Sequence, residues 1–182
     1  FSIRWVTIMA KITLQNIAHE YNPGATEKIY ALNPFDMTWV DGGRYAILGP
    51  SGCGKSTMLN IMSGILTPSE GKLLFDDVDV TNVSTSERNI AQVFQFPVIY
   101  GTMTVEQNLA FPLVCRNYDK RVIAAKVQEV AEALSLQELL KKSASKLTAD
   151  QKQLISLGRG LVRDDVSAVL MDEPLTVIDP DL

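Results

Sequence analysis

The chain has 182 residues, 46% of them hydrophobic, and a formal net charge of −4 from 17 basic and 21 acidic residues. That suffices for one domain with a sizeable core, or one domain with a small insertion, and its mildly acidic balance argues against nucleic acid as a partner. A single histidine, His19, all but excludes a histidine triad or a histidine-built metal site, and two cysteines, Cys53 and Cys115, give neither a disulfide framework nor a zinc spacing.

Residues 1–8, FSIRWVTI, precede Met9 and read as a leader of non-native origin; the native domain is taken as 9–182. KITLQNIA (11–18) is strand-like. PFDMTWV places Phe35, Met37 and Trp39 at a period of two before a turn at Asp41-Gly42-Gly43. RYAILG (44–49) reads as a short apolar strand, followed by a glycine-rich loop and the helical run KSTMLNIMSGI. After the turn TPSEG come two more strands, KLLF and IAQVF (90–94). The uncharged run 89–105 contains Gln92, Gln95, Pro97 and Gly101 and is too short and too polar to span a bilayer.

Helical character then takes over. Thr104 with Gln107 makes a capping-box pattern. From 119 to 136, Ile123, Val127, Val130, Ala131 and Leu134 recur at helical spacing. A further helix is expected from about Ala149 to Val162, and VSAVLM (166–171) returns to strand character. Strands, a loop, strands, helices and a last strand imply an α/β domain with an inserted helical subdomain at about 98–161.

GPSGCGKST (49–57) fits G-x-x-x-x-G-K-[ST] through Gly49, Gly54, Lys55 and Ser56, with an apolar run before it and a helix after it. Glycines let such a loop aim its N–H groups inward, and the helix N-terminus adds partial positive charge beneath a phosphate. Pro50, Ser51, Gly52, Cys53 and Thr57 complete the candidate cradle. Lys55 is suited to the β- and γ-phosphates of ATP, and the Ser56 hydroxyl to Mg²⁺. AVLMDEP (168–174) is the natural second half: a buried strand ends in Asp172, a candidate for the Mg²⁺ water shell, and Glu173, a candidate general base. Cys53, beside a helix N-terminus, offers a thiol handle on the loop.

With both motifs placed, residues 10–182 resemble the ATP-binding subunit of an ABC transporter, in the carbohydrate and polyol importer branch. LTADQKQ, SLGRGLVR and EPLTVIDP look most like subunits of glycerol importers. The resemblance implies a P-loop NTPase fold of the RecA-like, ABC ATPase type. A small antiparallel β subdomain and the helical insertion complete it, and the chain is expected to be incomplete at its C-terminus. Gln95, in VFQFPVIYGTMTVEQNLAFPL (93–113), falls where the family senses Mg²⁺ and the attacking water, and the residues after it fall where the family touches the membrane-spanning subunit. Tyr21 falls where an aromatic stacks on adenine; packing on Pro23 or a neighbouring strand is the alternative. Asp179 falls in the D-loop at the dimer interface. The family's switch histidine lies downstream of residue 182, and His19 does not replace it. The implied location is cytoplasmic, peripheral on the inner face of the membrane.

Leu147, Thr148, Ala149, Asp150 and Gln151 occupy the place of the signature LSGGQ, which caps a partner's ATP. A carboxylate about 6 Å from one phosphate charge costs about 3 kcal/mol at an effective dielectric near 20. Thr148 with Gln151 also makes a capping-box pattern at the start of its own helix, where Asp150 in the first turn gains only about 0.3–1 kcal/mol. The imbalance implies a second, non-identical ATP-binding subunit that supplies the better signature. Two other readings stay open: a non-hydrolysing regulatory subunit, and a soluble ABC-type ATPase not linked to transport.

Overall fold

The computed structural model describes residues 10–22 and 29–174; residues 1–8, expected to be a leader, and Asp179 lie outside the described residues. Contacts divide the chain into two units, Phe1–Ile90 with Asp165–Leu170, and Ala91–Asp164 with Met171–Leu182.

In the first unit, β1 (Ile12–Glu20), β2 (Tyr30–Trp39), β3 (Glu70–Phe75) and β4 (Val78–Asp79) form an antiparallel sheet in the order β2-β1-β3-β4. Ile12 pairs with Trp39 on one side and Phe75 on the other, and Leu14 with Met37 and Leu73. Side chains two apart share a face, so Ile12 and Leu14 are buried together. A register shift between Gln15 and Ala18, with Asn16 at φ 46°, moves the buried parity to Ile17 and His19. Gly71 crosses that shift at φ 87°, where a Cβ would fall on the carbonyl oxygens of Gln15 and Asn16. Only glycine fits.

α1 (Lys55–Ser63) sends Met58, Leu59, Ile61 and Met62 into the core formed by Ile12, Leu14, Leu73 and Phe75. Gly64, in the left-handed region at φ 82°, ends it, two residues short of the expected run KSTMLNIMSGI. Arg88 then closes the helix. It is only 3% exposed, and its Nη1 donates to Ile61 O at 2.6 Å and Met62 O at 3.2 Å. Nη2 donates to Thr81 O at 2.8 Å and Nε to Val83 O at 2.9 Å. Burial draws the guanidinium pKa down from its ordinary value. The carbonyls at the negative end of a helix offset that cost.

Two expectations for this unit change. RYAILG forms no strand: residues 44–49 are all exposed, Leu48 at 91%. A strand exists only where a neighbour offers ladder partners, and Tyr45 is drawn away, its hydroxyl accepting from Val40 N–H at 3.0 Å. Along β2, Trp39 is buried and Phe35 half-buried, but Met37, on the same face as Trp39, stays exposed on this edge strand.

β5 (Ile90–Val93) and β6 (Ala168–Met171) make a two-stranded sheet. Ser167 N–H donates to Asn89 O at 2.8 Å and Asp172 N–H to Val93 O at 2.9 Å, so the two strands run in the same direction.

The second unit is helical. α2 (Val105–Val114) starts with the Thr104–Gln107 capping box in both directions. α3 (Lys120–Ala133) starts with the Asp119 carboxylate accepting from Arg121 N–H. α4 (Ala149–Leu161) starts with the Thr148–Gln151 capping box. Val105, Leu109 and Leu113 meet Val127, Val130, Ala131 and Ile155 in one core, with Ile123 and Leu134 at its rim. At Gly158 α4 comes close enough to α2 that a Cβ would stand 2.6 Å from Leu109 Cδ2.

Arg88→Met is expected to lower the unfolding free energy in urea by about 3 kcal/mol at unchanged m, because several buried carbonyls lose charged donors together. Arg88→Lys should recover less than half of that loss, since one ammonium cannot span the same acceptors.

Candidate functional site

The glycine-rich loop enters α1 through Gly54, which stands at φ 92° with its Cα close enough to β2 that a Cβ would lie 2.7 Å from Ala31 O. Gly52 is also left-handed, at φ 81°. These two positions let the chain fold back over the start of the helix. Cys53 N–H reaches Pro50 O at 3.4 Å. Lys55 arches over the same loop, its Nζ donating to Gly49 O and Pro50 O at 2.8 Å each and standing 3.8 Å from Cys53 Sγ. Ser51, Gly52, Cys53 and Ser56 are exposed, while Thr57 turns into the core.

α1 differs from the other α-helices of the described chain at its N-terminus. α2, α3 and α4 each have a side-chain cap, whereas α1 has no side-chain cap and no acidic residue in its first turn. The donors at that end are thus left for an external acceptor, and the helix dipole favours an anion there.

Tyr21 lies beside this loop in the same unit. The residue is 61% exposed, and its hydroxyl sits 3.2 Å from Thr57 Oγ1. His19 stands edge-on to it at 4.8 Å between ring centroids and is itself held by Ser69 Oγ at 3.3 Å. An exposed aromatic face next to a phosphate loop suits a base. The alternative contact, Pro23, falls outside the described residues.

In the second unit the structure brings Gln95 and Glu173 together: Gln95 Nε2 donates to Glu173 Oε2 at 3.3 Å. Both are exposed, and Glu173 takes φ 47°, rare for a residue with a side chain. Asp172 directly precedes it, half-buried, its N–H tied to Val93 O. Among the described residues no three His, Cys, Asp or Glu side chains stand together as a metal cage. Ser56 in the first unit, and Asp172 and Gln95 in the second, each carry an oxygen of the kind a hard divalent cation prefers.

At the start of α4, Leu147 is buried, and Thr148 and Gln151 are occupied with one another. Ala149 and Asp150 complete the first turn. Sequence reasoning missed Gln153 two positions on. It is fully buried and contacts the residues beside both Gln95 and Glu173. In ADQKQL nothing local marks which polar residue turns inward.

Fold and loop together define an α/β nucleotide-binding domain with a phosphate-binding loop. The profile of the ABC transporter family matches residues 32–176, and the chain belongs to that family. Among its relatives, an sn-glycerol-3-phosphate import ATP-binding protein of Jannaschia sp. (strain CCS1) is 40% identical over 174 residues, covering 96% of this chain and 48% of that protein. A trehalose import ATP-binding protein of Mycobacterium tuberculosis is also 40% identical, over 96% of this chain and 43% of that protein. The chain thus spans about half the length of these curated relatives. A nucleotide-free ATP-binding cassette from an ABC transporter superposes with a TM-score of 0.76 at 26% identity, over 95% of this chain and 72% of that one. A dimeric post-hydrolysis cassette bound to ADP and Pi gives 0.82 at 26% identity, over 93% and 77%.

Two measurements probe the loop. Alkylation of exposed Cys53 by N-ethylmaleimide should abolish Mg-ATP binding, and Mg-ATP should protect the thiol; an alkylated protein that still binds would misplace the loop. Tyr21→Ala should weaken ATP binding about tenfold, a typical loss for one base–aromatic stack, while leaving tripolyphosphate binding unchanged.

Proposed function

We propose that this chain is the nucleotide-binding core of the ATP-hydrolysing motor subunit of an ABC importer, taking up a small carbohydrate or polyol. The observation that carries the reading is the uncapped N-terminus of α1 under the GPSGCGKST loop. It is a phosphate cradle in which Lys55 needs only to exchange two loop carbonyls for phosphate oxygens. The relatives that import glycerol phosphate and trehalose support the solute class. The motor subunit does not hold the solute, so glycerol itself rests on the sequence resemblance.

Phosphoryl transfer needs positioning and charge neutralisation more than covalent chemistry. Lys55 and the loop N–H groups hold the phosphates. Ser56 and Asp172, with Gln95, would hold Mg²⁺, which supplies charge neutralisation. Glu173 accepts a proton from the attacking water, its carboxylate oriented by the Gln95 amide. Tyr21 takes the adenine and Asp179 the dimer interface. Among the described residues no helix is long and apolar enough to cross a membrane, which fits attachment through membrane-spanning subunits at the inner face.

The altered signature extends the proposal to a non-identical ATP-binding partner. Thr148 and Gln151 cap each other, and Asp150 opposes a phosphate placed at that helix end. The test is steady-state ATP hydrolysis by the full-length subunit alone, against Thr148→Ser, Ala149→Gly, Asp150→Gly. The restored protein should turn over at least tenfold faster. Equal rates would remove the physical basis for an unlike partner, and absence of Mg-ATP binding in both would remove the motor reading.

A further inference from the structure

We propose that Gln153 is a positioning residue for the Gln95–Glu173 pair, fixing both from the body of α4. The proposal rests on the assignment of Gln95 and Glu173 above. The Gln153 side chain is fully buried. Its Nε2 donates to Phe94 O at 3.0 Å and to Pro174 O at 3.0 Å. Phe94 immediately precedes Gln95, and Pro174 immediately follows Glu173. One carboxamide therefore grips the backbone beside each member of the pair, 59 and 21 residues away in sequence.

The amide orientation is unambiguous, because two carbonyl oxygens can be faced only by the NH₂ end. Its other end, Oε1, is buried with no partner among the described residues. A buried acceptor left unmatched costs stability. Methionine would fill the same space without that cost, so what glutamine adds here is a donor for two carbonyls at once. Glu173 needs such a hold. Its φ of 47° is strained for a side-chain-bearing residue and persists only where the surroundings fix it, and Gln153 fixes the next carbonyl along.

Gln153 also sits one turn into α4, directly behind the Thr148–Gln151 capping box. A helix moves as a rod over that distance. Any tilt of its N-terminal end is therefore delivered to Phe94 and Pro174 together. The same residue that fixes the pair makes it responsive to what α4 meets.

The test uses Gln153→Met in the full-length subunit assembled with its transporter. ATP turnover, kcat, is expected to fall at least tenfold while the Kd for Mg-ATP stays within twofold. Hydrogen exchange should speed up in peptides covering 93–98 and 172–176 and stay unchanged in the loop at 49–57. In a Gln95→Ala background, Gln153→Met should add less than twofold to the loss, because the two act through one pair. Unchanged exchange, unchanged kcat, a parallel loss of Mg-ATP affinity, or full additivity with Gln95→Ala would each overturn the proposal. Failure of the underlying reading shows differently: the assembled wild type would not hydrolyse ATP, or Glu173→Gln would keep its rate. The exchange measurement then still decides whether Gln153 holds the two segments.

Discussion

The guanidinium of Arg88 at the C-terminal end of α1 is the contact on which the phosphate loop depends. A short helix whose N-terminus must stay open to an external anion cannot use a side chain to close that end. Its fixation has to come from its buried face and its other end. Met58, Leu59, Ile61 and Met62 supply the face, and Arg88 supplies the end by bonding Ile61 O and Met62 O while reaching back to Thr81 and Val83. Gly64 leaves the room: a side chain there would stand 2.9 Å from the guanidinium. The open and closed ends of α1 are two halves of one arrangement.

The helical unit solves a similar problem with carboxamides. Its irregular segments hold the residues assigned to water activation, and they have no ladder to fix them. Asn108, fully buried on α2, accepts from Tyr100 N–H at 2.8 Å and donates to Tyr100 O and Thr104 O at 3.0 Å. Gln153 holds the backbone beside Gln95 and Glu173 with its NH₂ end alone. A carboxamide carries donors and an acceptor on one planar group, so a single side chain satisfies several backbone groups that the loop cannot pair internally. Apolar residues would bury as much area and leave those groups unmatched.

Features governed by neighbouring residues were legible in the sequence. The capping boxes at Thr104 and Thr148 depend on atoms three residues apart, and the phosphate loop on a fixed spacing. Those that depend on distant partners were not. RYAILG has strand composition, yet strand formation needs a ladder partner that six residues do not specify. Arg88 reads as a charged residue in a polar turn, because the four carbonyls that make its burial tolerable lie as far away as Ile61. Met37 keeps the period of two and the inner face, and is still exposed because β2 is an edge strand. The pairing of Gln95 with Glu173, 78 residues apart, was legible only as two separate candidates.

The two helix N-termini proposed to meet phosphate are built in opposite ways. At α1 no side chain accepts from the first N–H groups and no acid occupies the first turn. At α4 Thr148 and Gln151 satisfy two of the orphan groups reciprocally, and Asp150 adds negative charge beside the rest. The capping box stabilises its helix by about 1 kcal/mol, and the acid by a few tenths more. A phosphate brought to the same end would have to compete with that bond and overcome roughly 3 kcal/mol of repulsion per charge. The geometry of α4 therefore favours a helix that is stable alone over one that waits for a ligand. A machine made of two such chains would hold each nucleotide by its loop and receive little help from across the interface. That asymmetry between a receptive α1 and a self-satisfied α4 is the physical ground on which an unlike partner is proposed.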